Sequence, residues 1–351
     1  TSVAAGDINK DGHLDFVAGT MKQENRYYFN NGDGTFTVHR LGSDTFATTS
    51  VKLGDVNGDG CPDVVVGNMG VESQVFLNDG QGAFRPAMDM SDDRFDTFCV
   101  ALGDVNGDGR LDVVTGNYGD KNRLYLNAGG TFPFFGVKAH CISEDKSNTL
   151  SLELADMNGD GRCDVVTGNF NNRNRLYLNT GEEAPFDGAV GLDIGLDTEK
   201  TFSVSCADMD GDGDLDLVAG NAGSQDKLYL NNGTDTPFGA IVPIPLTEQA
   251  HETLCVLTAD LDNDHALDIA TSRRKAPVFL CWNPGRPRRQ YGLSCPPVTA
   301  STFSETGDTE GSNTEVIAAA AGTYLGPIGG GHGEPHFSFN AGTAVSLPVN
   351  S

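Results

Sequence analysis

The feature that most constrains this chain is a short acidic sentence written again and again at a nearly fixed interval. "LGDVNGDGCPDVVVGN" at residues 53–68 returns as "LGDVNGDGRLDVVTGN" at residues 102–117, and the underlying pattern D-x-[DN]-x-D-x-x-x-D starts at Asp7, Asp55, Asp104, Asp156, Asp208 and Asp260. Successive copies are separated by 48, 49, 52, 52 and 52 residues. A repeat of this length cannot bury its own apolar face, so neighbouring units must stack and share a core.

Each unit carries the same four strand signals. A short run ending at the first Asp ("SVAAGD", "FCVALGD", "FSVSCAD") is too short for a helix and alternates like a strand. After the acidic loop comes a β-branched stretch ("DFVAGT", "DVVVGN", "DVVTGN", "DLVAGN", "DIATSR") that reads as a strand buried on both faces. A third run ("RYYFNNG", "QVFLNDG", "RLYLNAG", "RLYLNTG", "KLYLNNG", "PVFLCWN") ends in hairpin-turn residues, and a Phe ("GTF", "GAF", "APF", "TPF") opens a fourth strand and packs between units. Four short strands per unit of about 50 residues describe a β-propeller blade.

The expected fold is therefore all-β: a single seven-bladed β-propeller over residues 1–351. Its blades run approximately 1–47, 48–96, 97–147, 148–199, 200–250, 251–298 and a degenerate 299–351. The last rests on "STFSETGDTEGSNTE" at 301–315, where Asp308, Glu310 and Glu315 are what remains of a loop, followed by "EVIAAAAG" and "HFSFNAG". The alternative is six blades with a Ser/Thr/Gly-rich tail.

Carboxylates or amides at loop positions 1, 3, 5 and 9, a backbone carbonyl at 7 and a turn Gly at 6 supply hard oxygens around one cation, which selects Ca²⁺ over Mg²⁺ or Zn²⁺. An EF-hand is excluded because its twelfth position needs a bidentate Glu, where this chain has Ala18, Val66, Thr115, Thr167, Ala219 and Thr271. Instead Asp15, Asp63, Asp112, Asp164, Asp216 and Asp268 close each loop from the start of the second strand.

With these residues in view, the units resemble FG-GAP/VCBS repeats, the repeats of integrin α-subunit propellers and many secreted microbial proteins. The resemblance runs strongly to residue 298 and weakly beyond it. It implies a calcium-binding propeller used in adhesion or as an extracellular scaffold. The implied ligands are Asp7, Asn9, Asp11, the His13 carbonyl and Asp15 in blade 1, and Asp55, Asn57, Asp59, the Cys61 carbonyl and Asp63 in blade 2. Blade 3 offers Asp104, Asn106, Asp108, the Arg110 carbonyl and Asp112; blade 4 offers Asp156, Asn158, Asp160, the Arg162 carbonyl and Asp164. Blade 5 has Asp208, Asp210, Asp212, the Asp214 carbonyl and Asp216. Blade 6 has Asp260, Asp262, Asp264, the Ala266 carbonyl and Asp268, with His265 in place of the turn Gly. About six Ca²⁺, one per blade 1–6, are expected, and blade 7 is expected to hold none.

The formal net charge of −26 argues against nucleic acid and anionic membranes as partners. Six bound Ca²⁺ would cancel close to half of that excess, so folding and metal occupancy should be coupled. No apolar run approaches the roughly 20 residues that span a bilayer, and no apolar leader precedes Thr1, so a soluble, processed, secreted protein is expected. The eight cysteines lack CxxC or His/Cys metal spacing, which favours disulfides. Cys281 with Cys295, and Cys163 with Cys206, are the pairings the blade scheme suggests, with buried thiols as the alternative.

Catalytic motifs are missing. "HGEPH" at 332–336 places two His four apart, but Pro335 and the preceding glycines preclude the helix that HExxH requires. Asn232 heads a glycosylation sequon in the blade-5 turn. Arg273, Arg274, Lys275, Arg286, Arg288 and Arg289 form a basic cluster, either a charged sheet edge or a contact patch for an acidic partner, including the acidic face of another copy. The expected function is a non-enzymatic adhesion or structural module binding an extracellular protein, a polysaccharide or itself, the last by a filament-forming head-to-tail contact or as a surface layer. A carbohydrate-binding lectin, marked by aromatic residues at equivalent inter-blade positions, and a polysaccharide-active enzyme are the alternatives.

Overall fold

The computed structural model describes residues 2–239 and 241–283. These form 23 β-strands, with no helix among the described residues. The first blade is an antiparallel sheet of β1 (Ser2–Gly6), β2 (Asp15–Gly19), β3 (Asn25–Asn30) and β4 (Phe36–Leu41), hydrogen-bonded in that order. The meander then recurs. Blade 2 contains β5 (Thr48–Gly54), β6 (Asp63–Val71), β7 (Gln74–Phe76) and β8 (Met88–Asp89), and blade 3 contains β9 (Phe95–Gly103), β10 (Asp112–Asp120), β11 (Arg123–Tyr125) and β12 (His140–Cys141). Blade 4 contains β13 (Ser147–Ala155), β14 (Asp164–Asn169), β15 (Asn174–Tyr177) and β16 (Leu192–Ile194). Blade 5 contains β17 (Thr201–Ala207), β18 (Asp216–Ser224), β19 (Lys227–Tyr229) and β20 (Ile244–Pro245). Three strands of blade 6 are described: β21 (His251–Ala259), β22 (Asp268–Arg273) and β23 (Ala276–Cys281).

The blades are also sewn to one another. The ends of β6, β10 and β18 continue past a register shift to pair with β9, β13 and β21, the first strands of the following blades. The first strands of successive blades lie side by side, β1 against β5 and so on to β17 against β21.

The core sits between blades. Five apolar clusters fill five seams: Val17, Leu41, Val64 and Phe76 join blades 1 and 2, and Val218, Leu246, Val256 and Ile269 join blades 5 and 6. The second strands are buried on both faces as their β-branched runs predict. Their recurrent glycine is required by close approach, since a Cβ at Gly67 would lie 2.8 Å from the Val100 side chain of the next blade.

Two details differ from the sequence reading. Only Phe36 opens a fourth strand, and it is exposed instead of packed between blades; Phe84 makes an isolated bridge with Asn78 ahead of β8, and Phe186 and Phe238 sit in turns before strands of three and two residues, where each is buried in a seam. The turn Asp187 N–H to Ala184 carbonyl (2.9 Å) and Ala189 N–H to Phe186 carbonyl (3.0 Å) explains the delay, because it closes the chain on itself before the ladder resumes. The Cys163–Cys206 disulfide is also overturned: both are thiols, on different blades, and burial pushes both upward in pKa. Cys281 is disulfide-bonded, while Cys295 lies outside the described residues. So do the proposed seventh blade with Asp308, Glu310 and Glu315, and the "HGEPH" segment.

Candidate metal centre

All six acidic loops fold alike, and the position-1 Asp is their pivot. In blade 1, Asp7 accepts from the backbone N–H groups of Asp11 (3.0 Å) and Gly12 (2.9 Å). In blade 4, Asp156 accepts from Asp160 (3.0 Å) and Gly161 (2.7 Å). Position 5 in turn accepts from the position-7 N–H, as Asp108 does from Arg110 (3.0 Å) and Asp212 from Asp214 (3.0 Å). The position-1 and position-5 carboxylates are thereby turned into their own loop, around the space where a cation would sit.

The tight turn needs a left-handed residue at position 6, and glycine supplies it at Gly12, Gly60, Gly109, Gly161 and Gly213. His265 adopts φ 71° in blade 6, and its N–H still donates to Asp260 (3.1 Å). The loop shape therefore survives the substitution. Left-handed backbone at a residue with a Cβ costs about 1–2 kcal/mol.

Position 9 does more than offer a ligand. Asp63 is fully buried, its two oxygens accepting from the N–H of Val56 (3.0 Å) and of Asn78 (2.8 Å). Asp15, Asp112, Asp164, Asp216 and Asp268 repeat both bonds. These carboxylates bracket the loop to the end of the third strand. Burial pushes Asp63, Asp112 and Asp164 up to about 6 and Asp216 up to about 7; the neighbouring loop carboxylates add to the rise, and the backbone donors oppose it.

The donor set fits a hard divalent cation. In blade 5 one oxygen each of Asp208, Asp210 and Asp216 lie within 4.8 Å of one another, and in blade 6 the same holds for Asp260, Asp262 and Asp268. Blades 1–4 carry Asn9, Asn57, Asn106 and Asn158 at position 3, which substitute an amide oxygen for one carboxylate. Asn57 Nδ2 bonds Asp59 Oδ2 (2.8 Å), so its Oδ1 is directed elsewhere in the loop, where it accepts from Asp59 N–H (2.9 Å). The position-7 side chains do not enter the loop as ligands. Arg110 and Arg162 fold back onto the carboxylates of Asp108 and Asp160 and donate to the carbonyls of Asn127 (3.0 Å) and Asn179 (3.1 Å). His13 Nδ1 lies 3.1 Å from Asp11, and Cys61 is a buried thiol.

The sequence reading missed the residue that links these loops. Asn78, Asn127, Asn179, Asn231 and Asn283, each two residues past a third strand, each send Nδ2 to a carbonyl in the loop of the preceding blade: Ile8 (2.9 Å), Val56 (2.8 Å), Val105 (2.7 Å), Met157 (2.8 Å) and Met209 (2.7 Å). The signal was present in the recurrent "YLN" and "FLN", but a turn Asn needs no partner to be explained.

The basic cluster is corrected in part. The Arg273 side chain is 8% exposed, stacks over Phe279 at 4.1 Å and lies 3.8 Å from buried Asp226. In the equivalent seams a polar relay runs Asn25–Thr48–Asn68 and Asn122–Thr149–Asn169; between blades 5 and 6 it becomes Asp226, Thr253 and Arg273. Arg273 is thus a seam residue rather than part of a surface patch. Arg274 and Lys275 are exposed in the β22–β23 turn, and Arg286, Arg288 and Arg289 lie outside the described residues.

Asn232 is exposed, its carboxamide oxygen accepting from the Thr234 N–H and hydroxyl. Aromatic residues do recur across blades 3–5: Phe98, Tyr118, Phe170 and Phe202 form a row with ring centroids 5.5, 6.4 and 5.9 Å apart. Their planes are inclined at 43°, 50° and 78°, so they pack on one another and do not form a flat platform. Away from the loops, Glu153 on β13 is pushed up to about 7 by burial and accepts from Cys206 N–H (2.8 Å), which makes it a tie between blades 4 and 5.

Comparison with known families matches the FG-GAP-like repeat to residues 7–66, 55–115, 104–167, 156–219 and 208–271, each match running from one acidic loop through the next. The chain belongs to the FG-GAP repeat family. Among curated proteins, this FG-GAP propeller is similar to human cartilage acidic protein 1, 30% identical over 110 residues, which is 30% of this chain and 16% of that protein's length. Among solved structures it shares a fold with Sqt1 from Chaetomium thermophilum, with a TM-score of 0.52 and 12% identity over 85% of this chain and 71% of that one. Sqt1 from Saccharomyces cerevisiae gives 0.51 and 12% over 80% and 70%. No helix among the described residues is long and apolar enough to cross a membrane.

Proposed function

We propose that this FG-GAP propeller is a calcium-stabilised, non-catalytic module of the extracellular space, serving adhesion or matrix structure. The observation that carries the reading is the six-fold recurrence of one acidic loop whose position-1 and position-9 carboxylates are fixed by backbone N–H groups. Oxygen ligands at positions 1, 3, 5, 7 and 9 would hold one Ca²⁺ in each of blades 1–6. When bound, the ion supplies charge neutralisation at a cluster of carboxylates and no chemistry on a substrate. The chain's own residues hold the loop in place, exclude water from the position-9 carboxylate and tie it to the neighbouring blade.

Similarity to a protein named for cartilage supports an extracellular setting. Association with another protein, a polysaccharide or a second copy would use surfaces away from the loops, with exposed Arg274 and Lys275 complementary to an acidic face. The test is a thermal melt of the full chain in calcium and then in chelator, followed by electron microscopy and sedimentation. A large fall in midpoint on chelation is expected, with calcium-dependent assemblies if the module builds structure by itself. A melt indifferent to chelator would refute the calcium role, and a strict monomer at high concentration would refute self-assembly.

A further inference from the structure

We infer that the calcium loops are wired in series from blade 1 to blade 6 by the asparagines just past the third strands, so that filling one loop prepares the next. The inference rests on the proposed calcium role and adds a property to it.

Asn127 shows the wiring. Its backbone N–H donates to Asp112 Oδ1 (2.7 Å), the position-9 carboxylate of its own loop. One Nδ2 proton goes to the Leu111 carbonyl at position 8 of that loop (2.9 Å) and the other to the Val56 carbonyl at position 2 of the preceding loop (2.8 Å). Its Oδ1 accepts from Gly129 N–H (2.8 Å). Every polar group of this 2%-exposed residue is engaged, and its side chain joins two loops. Asn78, Asn179 and Asn231 repeat all four bonds.

Position 2 lies between ligand positions 1 and 3, and its own N–H is held by the position-9 carboxylate of the same loop, as Val56 is by Asp63 (3.0 Å). A cation gathering positions 1, 3 and 9 of one loop therefore fixes the position-2 peptide. That peptide fixes the asparagine of the next blade, which in turn holds the next position-9 carboxylate in place. The second cation meets a loop whose ordering is already partly complete, and this produces positive coupling without any large movement.

The test is a calcium titration of the full chain by calorimetry, with hydrogen exchange read at each loop peptide. Wild type should bind with a Hill coefficient above 1. Asn127→Ala together with Asn179→Ala should bring the coefficient toward 1. Because those variants disturb buried bonds, a second variant leaves every asparagine intact: Asp108→Ala, which removes an exposed ligand from the blade-3 loop. Protection of the blade-4 loop at 156–164 should then require about 5-fold or more calcium, the lower end of typical coupling. Several equivalent sites filling independently in wild type, or blade-4 protection unmoved by Asp108→Ala, would overturn the wiring while leaving calcium binding intact. No calcium binding at all would overturn both.

Discussion

The position-9 carboxylates have a structural duty that needs no metal, and Asp112→Ala isolates it. Asp112 is fully buried and accepts from Val105 N–H (3.1 Å) and Asn127 N–H (2.7 Å). Truncation strands both donors, and each unsatisfied buried group costs about 1–3 kcal/mol, so the chain should lose about 2–6 kcal/mol even in chelator. That is a large part of the 5–15 kcal/mol typical of a folded domain. Asp108→Ala is the contrasting variant. Asp108 is exposed, and its ion pair with Arg110 is of a kind worth at most about 1 kcal/mol, so in chelator this variant should stay near wild type. In calcium at 100-fold excess over its dissociation constant, one lost site should cost Asp108→Ala about 2.7 kcal/mol. Urea unfolding followed by circular dichroism, with and without calcium, gives all four numbers. Asp112→Ala within about 0.5 kcal/mol of wild type in chelator would refute the bracketing role.

Other outcomes follow from the same geometry. Asp63, Asp112, Asp164 and Asp216 hold protons in the folded, metal-free chain that the unfolded chain has released, so metal-free stability should fall as pH rises from about 4 through 6 to 7; calcium, which needs the carboxylates ionised, should reverse that slope in melts across the window. Arg273→Ala leaves Asp226 buried beside no guanidinium and should cost about 3–5 kcal/mol, whereas the double variant Asp226→Asn, Arg273→Asn restores the polar relay of the other seams and should recover much of the loss in a double-mutant cycle. Under native conditions a thiol reagent should modify exposed Cys141 before buried Cys61, Cys99 and Cys255, as peptide mass spectrometry would show; equal rates would contradict the seam packing.

The strands and loops were legible because their signals are local and repeated. The position-9 Asp opens the second strand in all six blades, and the "DVVVGN" type of run is buried on both faces, as read from its composition. What sequence could not show was where side chains go across a seam. Asn127 reads as a turn residue until its Nδ2 is seen on Val56 of another blade. Arg273 reads as one of six surface cations until Asp226, 47 residues earlier, is seen beside it. Phe186 reads as a strand opener, yet a local turn holds it back and the seam claims its ring. Cys163 and Cys206 were paired by blade position, a criterion that places two residues at one end of adjacent blades without bringing their sulfurs together.

The most direct measurement of the central claim is the number of calcium ions bound per purified full-length chain, by equilibrium dialysis and metal analysis. The account predicts about six, one for each loop beginning at Asp7, Asp55, Asp104, Asp156, Asp208 and Asp260. A chain that retains its fold and binds none would contradict it.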